Sequence, residues 1–334
     1  MTIDLSVLNN VNRLLFAIPL EPLQGHRFQP TGFPSLGAAT FQTQHGTSLL
    51  VESAQSMANR LELTVWDEAT NDLKPQLHGL SHVRVLRNGA FLTDTVLDSH
   101  RINSPYLLMG KDKGFFDKLK DELDVLVEGP INRRKLVEVL LKYDIGSLLH
   151  GAFLPKLDGR LRIARAISSF IEADTVGVAA SGGVKNDHVN PSGVTKDGFG
   201  NVPFARDEFT AERITLYVNL DLAQICGYGL GADIEKLLIL LSLYKLRALL
   251  NGSLRLRTAC DLRATADAVS ATSPAGFDLP GTDALLNDLQ TAIAACKDRM
   301  SVTEVTFNDE LKKGKDEDHE TATEVDETDD GEGE

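Results

Sequence analysis

The chain has 334 residues, 42% of them hydrophobic and 25% charged, which allows one large or two average globular domains. Three widely spaced cysteines exclude a disulfide framework and a CxxC-type zinc site, and no apolar run is long enough to span a bilayer. Residues 308–334 carry 13 acidic and three basic side chains, a net of −10, which leaves −4 for residues 1–307, so the total of −14 does not exclude a nucleic-acid partner.

The first elements predict a β-α-β unit. Residues 13–20 (RLLFAIPL) indicate a buried strand that ends at two prolines, and a glycine-rich loop follows. Residues 47–61 place apolar side chains on one helical face and polar ones opposite, which predicts a helix. Residues 81–87 (SHVRVLR) then indicate the second strand of the unit.

A second unit is predicted further along the chain. Residues 213–222 (RITLYVNLDL) alternate apolar and polar side chains through five periods, which is typical of a strand with one buried face. After the turn GYGLG, Asp233 is expected to cap a helix that runs to about Leu250. Residues 253–259 (SLRLRTA) alternate again as a strand.

Two β-α-β units predict an α+β fold, a modified RRM or ferredoxin-like four-stranded antiparallel sheet with helices on one face. Residues 1–307 would form this single domain, with a large insertion at about 90–210 that contains helices at 115–127 and 132–143. The acidic segment 308–334 has the composition of a disordered tail.

No catalytic motif is present: GxSxG, HExxH and Walker A patterns are absent, and GYGLG lacks the spacing of a dinucleotide-binding turn. His26, His45 and His188 lie in polar loops where a general acid or base could reach an RNA 2′-hydroxyl. No spacing fixes a partner for any of them, so surface histidines are the simpler interpretation. We expect no cofactor and no metal.

Two glycine-rich polar segments, residues 24–33 and 181–191, are better candidates for function. In the first, glycines would let the backbone approach a phosphate while Arg27 supplies charge, although a plain loop crossing the sheet edge explains the same residues. The second is too polar for a core, and its backbone N–H groups together with Lys185 suit an anion.

Arginines and lysines elsewhere suggest a stripe that follows phosphates, or else ordinary surface charges. They are Lys156, Arg160, Arg162, Arg165, Arg255 and Arg257.

Long blocks of the sequence resemble a known family. These are RFQPTGFPSLGAATF, LVESAQSMANRLE, DSHRINSPYL, SLLHGAF, SGGVKNDHVNPSG, GFGNVPFARDEFTAE and LRLRTACDL, within residues 13–263. They are similar to the RAMP-superfamily backbone subunit of type I-U (I-G) CRISPR–Cascade complexes.

The resemblance implies a non-catalytic subunit with an RRM-like palm and with finger and thumb-like insertions, and the widely spaced cysteines suit a reducing cytoplasm. Its partners would be CRISPR RNA, target DNA through the guide, further copies of itself and other Cascade subunits, with no membrane contact. The chain departs from a standard RRM because the RNP pattern is absent and Tyr217 is the only aromatic on the exposed face of its strand. Loops rather than the sheet are therefore expected to hold RNA.

By position in the resembling family, the loop after the first strand, the first helix and the inserted loops would line the RNA groove. The expected RNA-binding residues are Arg27, Gln29, Thr31, Ser53, Gln55, Ser56, Asn59, Lys185, Asn186 and Arg206.

Two alternatives stay open. Some RAMP relatives cleave RNA with a loop histidine, so a metal-independent endoribonuclease that processes CRISPR RNA is the second hypothesis. A purely structural assembly protein without RNA contact is the third.

Overall fold

A computed structural model describes residues 2–33, 37–124, 131–157, 159–185, 202–252 and 254–309. The strands are β1 (Arg13–Pro22), β2 (Gly32–Phe33), β3 (Gly37–Ala38), β4 (Thr40–Thr43), β5 (Gly46–Glu52), β6 (Trp66–Asp67), β7 (Asp72–Leu73), β8 (His82–Arg87), β9 (Ala90–Asp94), β10 (Ala152–Phe153), β11 (Arg162–Ile163), β12 (Ile167–Asp174), β13 (Gly177–Lys185), β14 (Val202–Thr210), β15 (Arg213–Asp221), β16 (Arg255–Arg257), β17 (Cys260–Ala264) and β18 (Val302–Thr306).

The α-helices are α1 (Ala54–Leu63), α2 (Pro105–Leu108), α3 (Gly114–Leu123), α4 (Arg133–Tyr143), α5 (Ile145–His150), α6 (Leu222–Gly227), α7 (Ala232–Leu250) and α8 (Thr282–Cys296). Short 3-10 turns lie at Ser6–Leu8, Pro75–Leu77, Arg101–Asn103 and Lys297–Arg299. In the part of the chain that the structure describes, none of the helices is long and apolar enough to cross a membrane.

The main sheet is antiparallel and seven-stranded, in the order β16-β17-β1-β15-β12-β5-β4. Alternate residues of the central strands are buried: Phe16 lies opposite Val218, which lies opposite Ser169, and each is at most 4% exposed. Helix α1 packs on β12 and on α7, which is apolar almost all round and therefore forms the centre of the core.

The first predicted β-α-β unit is assembled from different strands. Strand β8 is present at 82–87, but it pairs with β9 and, in parallel, with β18 in a separate three-stranded sheet. The place beside β15 belongs to β12, a strand that lies within the segment expected to be an insertion. Alternation along a strand indicates that one face is buried, but it does not tell which sheet buries it.

The predicted helix 47–61 begins too early. Residues 46–52 form strand β5, and Ser53 ends it by accepting the Ser56 N–H bond at 3.2 Å on Oγ, so the helix starts at Ala54. Leu49 and Val51 are fully buried in the sheet, so their packing overrides the helical pattern.

The second unit differs in smaller ways. Strand β15 and helices α3, α4 and α7 lie close to their predicted positions, but Gly231, not Asp233, occupies the N-cap of α7. Residues 253–259 contribute only the three-residue β16, which turns back into β17. The main sheet is therefore larger than the four strands expected, although the α+β composition is as predicted.

Candidate nucleic-acid interface

Two segments that the sequence singled out, the loop after β1 and the β13–β14 hairpin, meet in the structure. The Phe28 N–H bonds the Phe209 carbonyl at 2.9 Å, and the Phe209 N–H bonds the Phe28 carbonyl at 2.8 Å. Both rings are buried, and that of Phe28 is fully inaccessible. The loop and the base of the hairpin therefore form one surface.

A cleft of about 390 Å³ opens beside this junction. It is lined by Leu23, Gln24, Gly25, His26, Arg27, Glu208, Arg255, Thr258, Ala259 and Asp261. The carboxylate of Glu208 forms ion pairs with two guanidinium groups, that of Arg27 at 3.3 Å and that of Arg206 at 3.1 Å. Arg27 stays 54% exposed and Arg206 33% exposed, so both guanidinium groups reach the surface beside the cleft.

Residues 28–31 are fixed to their surroundings by backbone bonds. The Gln29 N–H bonds the Ala259 carbonyl at 2.8 Å, and the Thr31 N–H bonds the Val51 carbonyl at 2.9 Å. The loop therefore runs between the β16–β17 turn and the end of β5. Its backbone, which forms one wall of the cleft, is held in one conformation by these bonds.

Arg257 connects the loop to the end of β5. Its guanidinium donates to the Gln29 carbonyl at 2.9 Å and to the Glu52 carboxylate at 2.6 Å. Arg60 of α1 donates to the Leu256 carbonyl at 2.7 Å. Arg257 is thus committed to the protein itself and is unsuited to the phosphate stripe that the sequence suggested for it. The Arg255 guanidinium has no hydrogen bond or ion pair among the described residues and is exposed in the cleft.

The N-terminal turn of α1 follows the end of β5, the strand to which Thr31 is bonded. Ser53 caps the helix, and the exposed Gln55 next to it accepts a hydrogen bond from Arg165. The first turn of a helix carries a partial positive charge that favours anions. Arg165, one of the basic residues noted in the sequence, therefore reaches the helix end through folding rather than through sequence proximity.

The combined surface, which we name the cleft strip, is locally positive in a protein of net charge −14. It carries four guanidinium groups against two carboxylates: Arg27, Arg165, Arg206 and Arg255, with Glu208 and Asp261. A concentration of cations along one groove is what a phosphate backbone requires.

The predicted RNA-binding residues divide into three groups. Arg27 and Arg206 share Glu208, and Gln55 lies at the helix end with Arg165. Gln29, Thr31 and Ser53 act at least in part through structural backbone or capping bonds, while Ser56 and Asn59 are half-buried on α1. The Lys185 side chain, Asn186 and His188 lie outside the described residues.

Sequence reasoning missed Glu208, Thr258 and Asp261, which line the same cleft. They come from segments far apart in the chain and carry no local motif, so only the fold brings them together. Among the described residues, no cluster of histidine, cysteine, aspartate or glutamate has the arrangement of a metal site.

A buried ionic cluster lies behind α1. Arg101 donates to the Glu62 carboxylate at 2.7 Å, and Lys245 is 2.8 Å from Nε2 of His150. All four side chains are at most 6% exposed. Burial raises the pKa of Glu62 to about 7 and lowers the pKa of Lys245 to about 8, and it also lowers the pKa of His150. These groups fix the back of α1 to the core.

Residues 14–178, about half of the chain, match the family model described as CRISPR-associated protein GSU0053. The chain is a CRISPR-associated protein. The matched segment includes β1, the loop at 24–33 and α1, and so contains much of the cleft strip. The predicted CRISPR association is confirmed, whereas the backbone RNA-binding role stays a prediction.

Among solved structures, the CRISPR-associated protein is similar to a chain described as "CRISPR RNA-guided surveillance complex, pre-nicking". The identity is 14% and the TM-score 0.38, over 78% of this chain and 76% of that one. A likeness of this degree carries no argument about this chain. No curated protein matches it.

The buried Glu62 predicts a pH dependence of stability. Its pKa is raised from 4.5 in the unfolded chain to about 7 in the folded protein, so the folded state holds the extra proton between these values. The stabilisation from Glu62 is present at low pH and is lost as pH rises towards 7.5. Between pH 5 and pH 7.5, we expect the free energy of unfolding of wild type to fall by about 2 kcal/mol relative to that of Glu62→Gln. Urea unfolding at the two pH values measures this difference.

Glu138→Gln is the matched control, because the Glu138 carboxylate is 44% exposed on α4. Its free energy of unfolding should run parallel to that of wild type over the same range. Parallel curves for wild type and Glu62→Gln would contradict the raised pKa.

Proposed function

We propose that this protein is the non-catalytic backbone subunit of a type I CRISPR interference (Cascade) complex, and that the cleft strip holds the sugar-phosphate backbone of the guide RNA. The observation that carries the proposal is the junction of the loop at 24–33 with the β13–β14 hairpin beside an excess of guanidinium groups. Contacts to phosphates and backbone carry no base information, which suits a subunit that must accept any spacer.

The order of elements supports an RRM-like palm. Taken as β1-α1-β12-β15-α7-β17, the centre of the main sheet follows a β-α-β-β-α-β succession, with β17, β1, β15 and β12 side by side. Strands β16, β5 and β4 extend this core at its two edges. On this proposal the β13–β14 hairpin, joined at Phe209, is the inserted element that clamps the RNA.

The partners in this proposal are CRISPR RNA, target DNA paired to the guide, further copies of the chain along the RNA and other Cascade subunits, in the cytoplasm. Self-association along the RNA follows from the role, because one cleft strip holds only a short stretch of backbone. The protein itself would contribute no catalytic group.

The cleft strip predicts how binding responds to mutation. Arg27→Ala and Arg255→Ala should each weaken binding of two RNAs of unrelated sequence by a similar factor, because each removes a phosphate contact. The slope of log K against log salt should fall by about 0.7 to 1 for each variant. Fluorescence anisotropy over a salt series measures both quantities.

Arg133→Ala is the control, since Arg133 is an exposed arginine on α4 outside the cleft and its loss changes the net charge equally. It should leave affinity and slope close to wild type. Equal losses in all three variants, or a loss confined to one RNA sequence, would contradict the proposal.

The endoribonuclease alternative is tested with repeat-containing CRISPR RNA in the presence of a chelator. His26 is exposed in the cleft and has no hydrogen-bond or ion-pair partner among the described residues, so nothing there positions it for proton transfer. We expect the RNA to remain intact while bound. Cleavage that His26→Ala abolishes would establish the alternative instead.

A further inference from the structure

The face of the main sheet that points away from α1 and α7 carries an aromatic pair. Phe170 of β12 and Tyr217 of β15 lie directly opposite each other on neighbouring strands. Their rings are stacked, with centroids 5.2 Å apart and planes at 29°. Ala17 of β1 is the next residue across, and its methyl group is too small to cover the Tyr217 ring. Both rings remain half-buried rather than enclosed.

Charged side chains at the two ends of this face neutralise each other. Arg13 forms an ion pair with Asp221, and Arg213 bonds Asp174 at 2.7 Å. The described residues of these strands therefore offer no unpaired cation beside the aromatic pair. Nucleic-acid affinity depends on cations that are free to neutralise phosphates, so this face is a poor platform for RNA.

A carboxylate without a counter-charge flanks the rings instead. Glu172 follows Phe170 on the same face of β12, about 7 Å away along the strand, and has no hydrogen bond or ion pair among the described residues. Burial and the neighbouring Asp174 raise the pKa of Glu172. On the other side of Tyr217, Oδ1 of Asn219 is enclosed and has no hydrogen-bond partner among the described residues, so it is not accessible to a docked side chain.

We propose that this aromatic–acidic patch, formed by Phe170, Tyr217 and Glu172, is a docking site for an arginine side chain presented by a basic segment of a partner protein. The patch is separate from the cleft strip, and its electrostatics are the reverse: one carboxylate without a counter-charge beside half-buried aromatic rings.

Arginine matches each feature of the patch. A planar guanidinium stacks on an aromatic face and is attracted by its π electrons. The same group presents N–H donors in a fixed fork, which the Glu172 carboxylate can accept as charge-assisted hydrogen bonds. Docking would supply the counter-charge that Glu172 lacks within the described chain.

The test uses the full chain labelled with 3-fluorotyrosine, in which Tyr217→Phe assigns the Tyr217 signal among five tyrosines. The probe is an acetylated, amidated heptapeptide of sequence GSGRGSG, with a twin that carries neutral citrulline in place of arginine. We expect the arginine peptide to shift the Tyr217 fluorine resonance in a saturable manner. The citrulline peptide should bind with an affinity at least roughly fivefold lower.

Glu172→Gln should lower the affinity for the arginine peptide to that for the citrulline peptide. Glu304→Gln, which removes an exposed carboxylate from β18 in the other sheet, should leave binding unchanged and so controls for general attraction to an acidic protein. Equal shifts from the two peptides, or no saturable shift, would overturn the proposal. A Tyr217 shift caused by single-stranded oligouridine and not by the arginine peptide would also overturn it, and would assign the face to nucleobases.

Discussion

The carboxylate of Glu52 joins the segments that form the cleft strip, because it pairs with arginines from α1 and β16. It is 2% exposed at the end of β5, and it is held by Arg257 at 2.6 Å and by Arg60 at 3.5 Å. Removing one partner of a buried ion pair costs about 3–5 kcal/mol, because the remaining charge is left without compensation. The three side chains therefore bind the end of β5, the last turn of α1 and β16 to one another. Since Arg257 also donates to the Gln29 carbonyl, the loop at 24–33 depends on the same pair.

The cleft strip and the aromatic–acidic patch differ in charge. On one side, the fixed loop meets the hairpin through Phe28 and Phe209, and guanidinium groups collect around a groove. On the other, ion pairs neutralise the cations of the sheet, and aromatic rings lie beside the uncompensated carboxylate of Glu172. A protein of net charge −14 can thus present one surface suited to a polyanion and another suited to a cation.

Local signals in the sequence were sufficient for elements whose pattern is set within a few residues. The alternation of 213–222 and the apolar run of α7 predicted their structures closely, and the glycine-rich loops were recognised as candidate sites. Long-range choices could not be read in the same way. The sheet that receives residues 82–87, the β12 strand beside β15 and the position of Arg257 beneath the loop depend on contacts between segments far apart. Tyr217 was recognised as an exposed aromatic, but its stacking partner Phe170 was not, because that strand was not predicted.

In the proposed function, the loop, the β16–β17 turn and the start of α1 hold RNA as one surface. Hydrogen–deuterium exchange of the full chain, with and without saturating single-stranded RNA of mixed sequence, tests it most directly. We expect slower exchange on RNA binding at residues 23–31, 53–57 and 255–261 together, with other exposed loops unchanged. Bound RNA that leaves the exchange of residues 23–31 unaltered would contradict it.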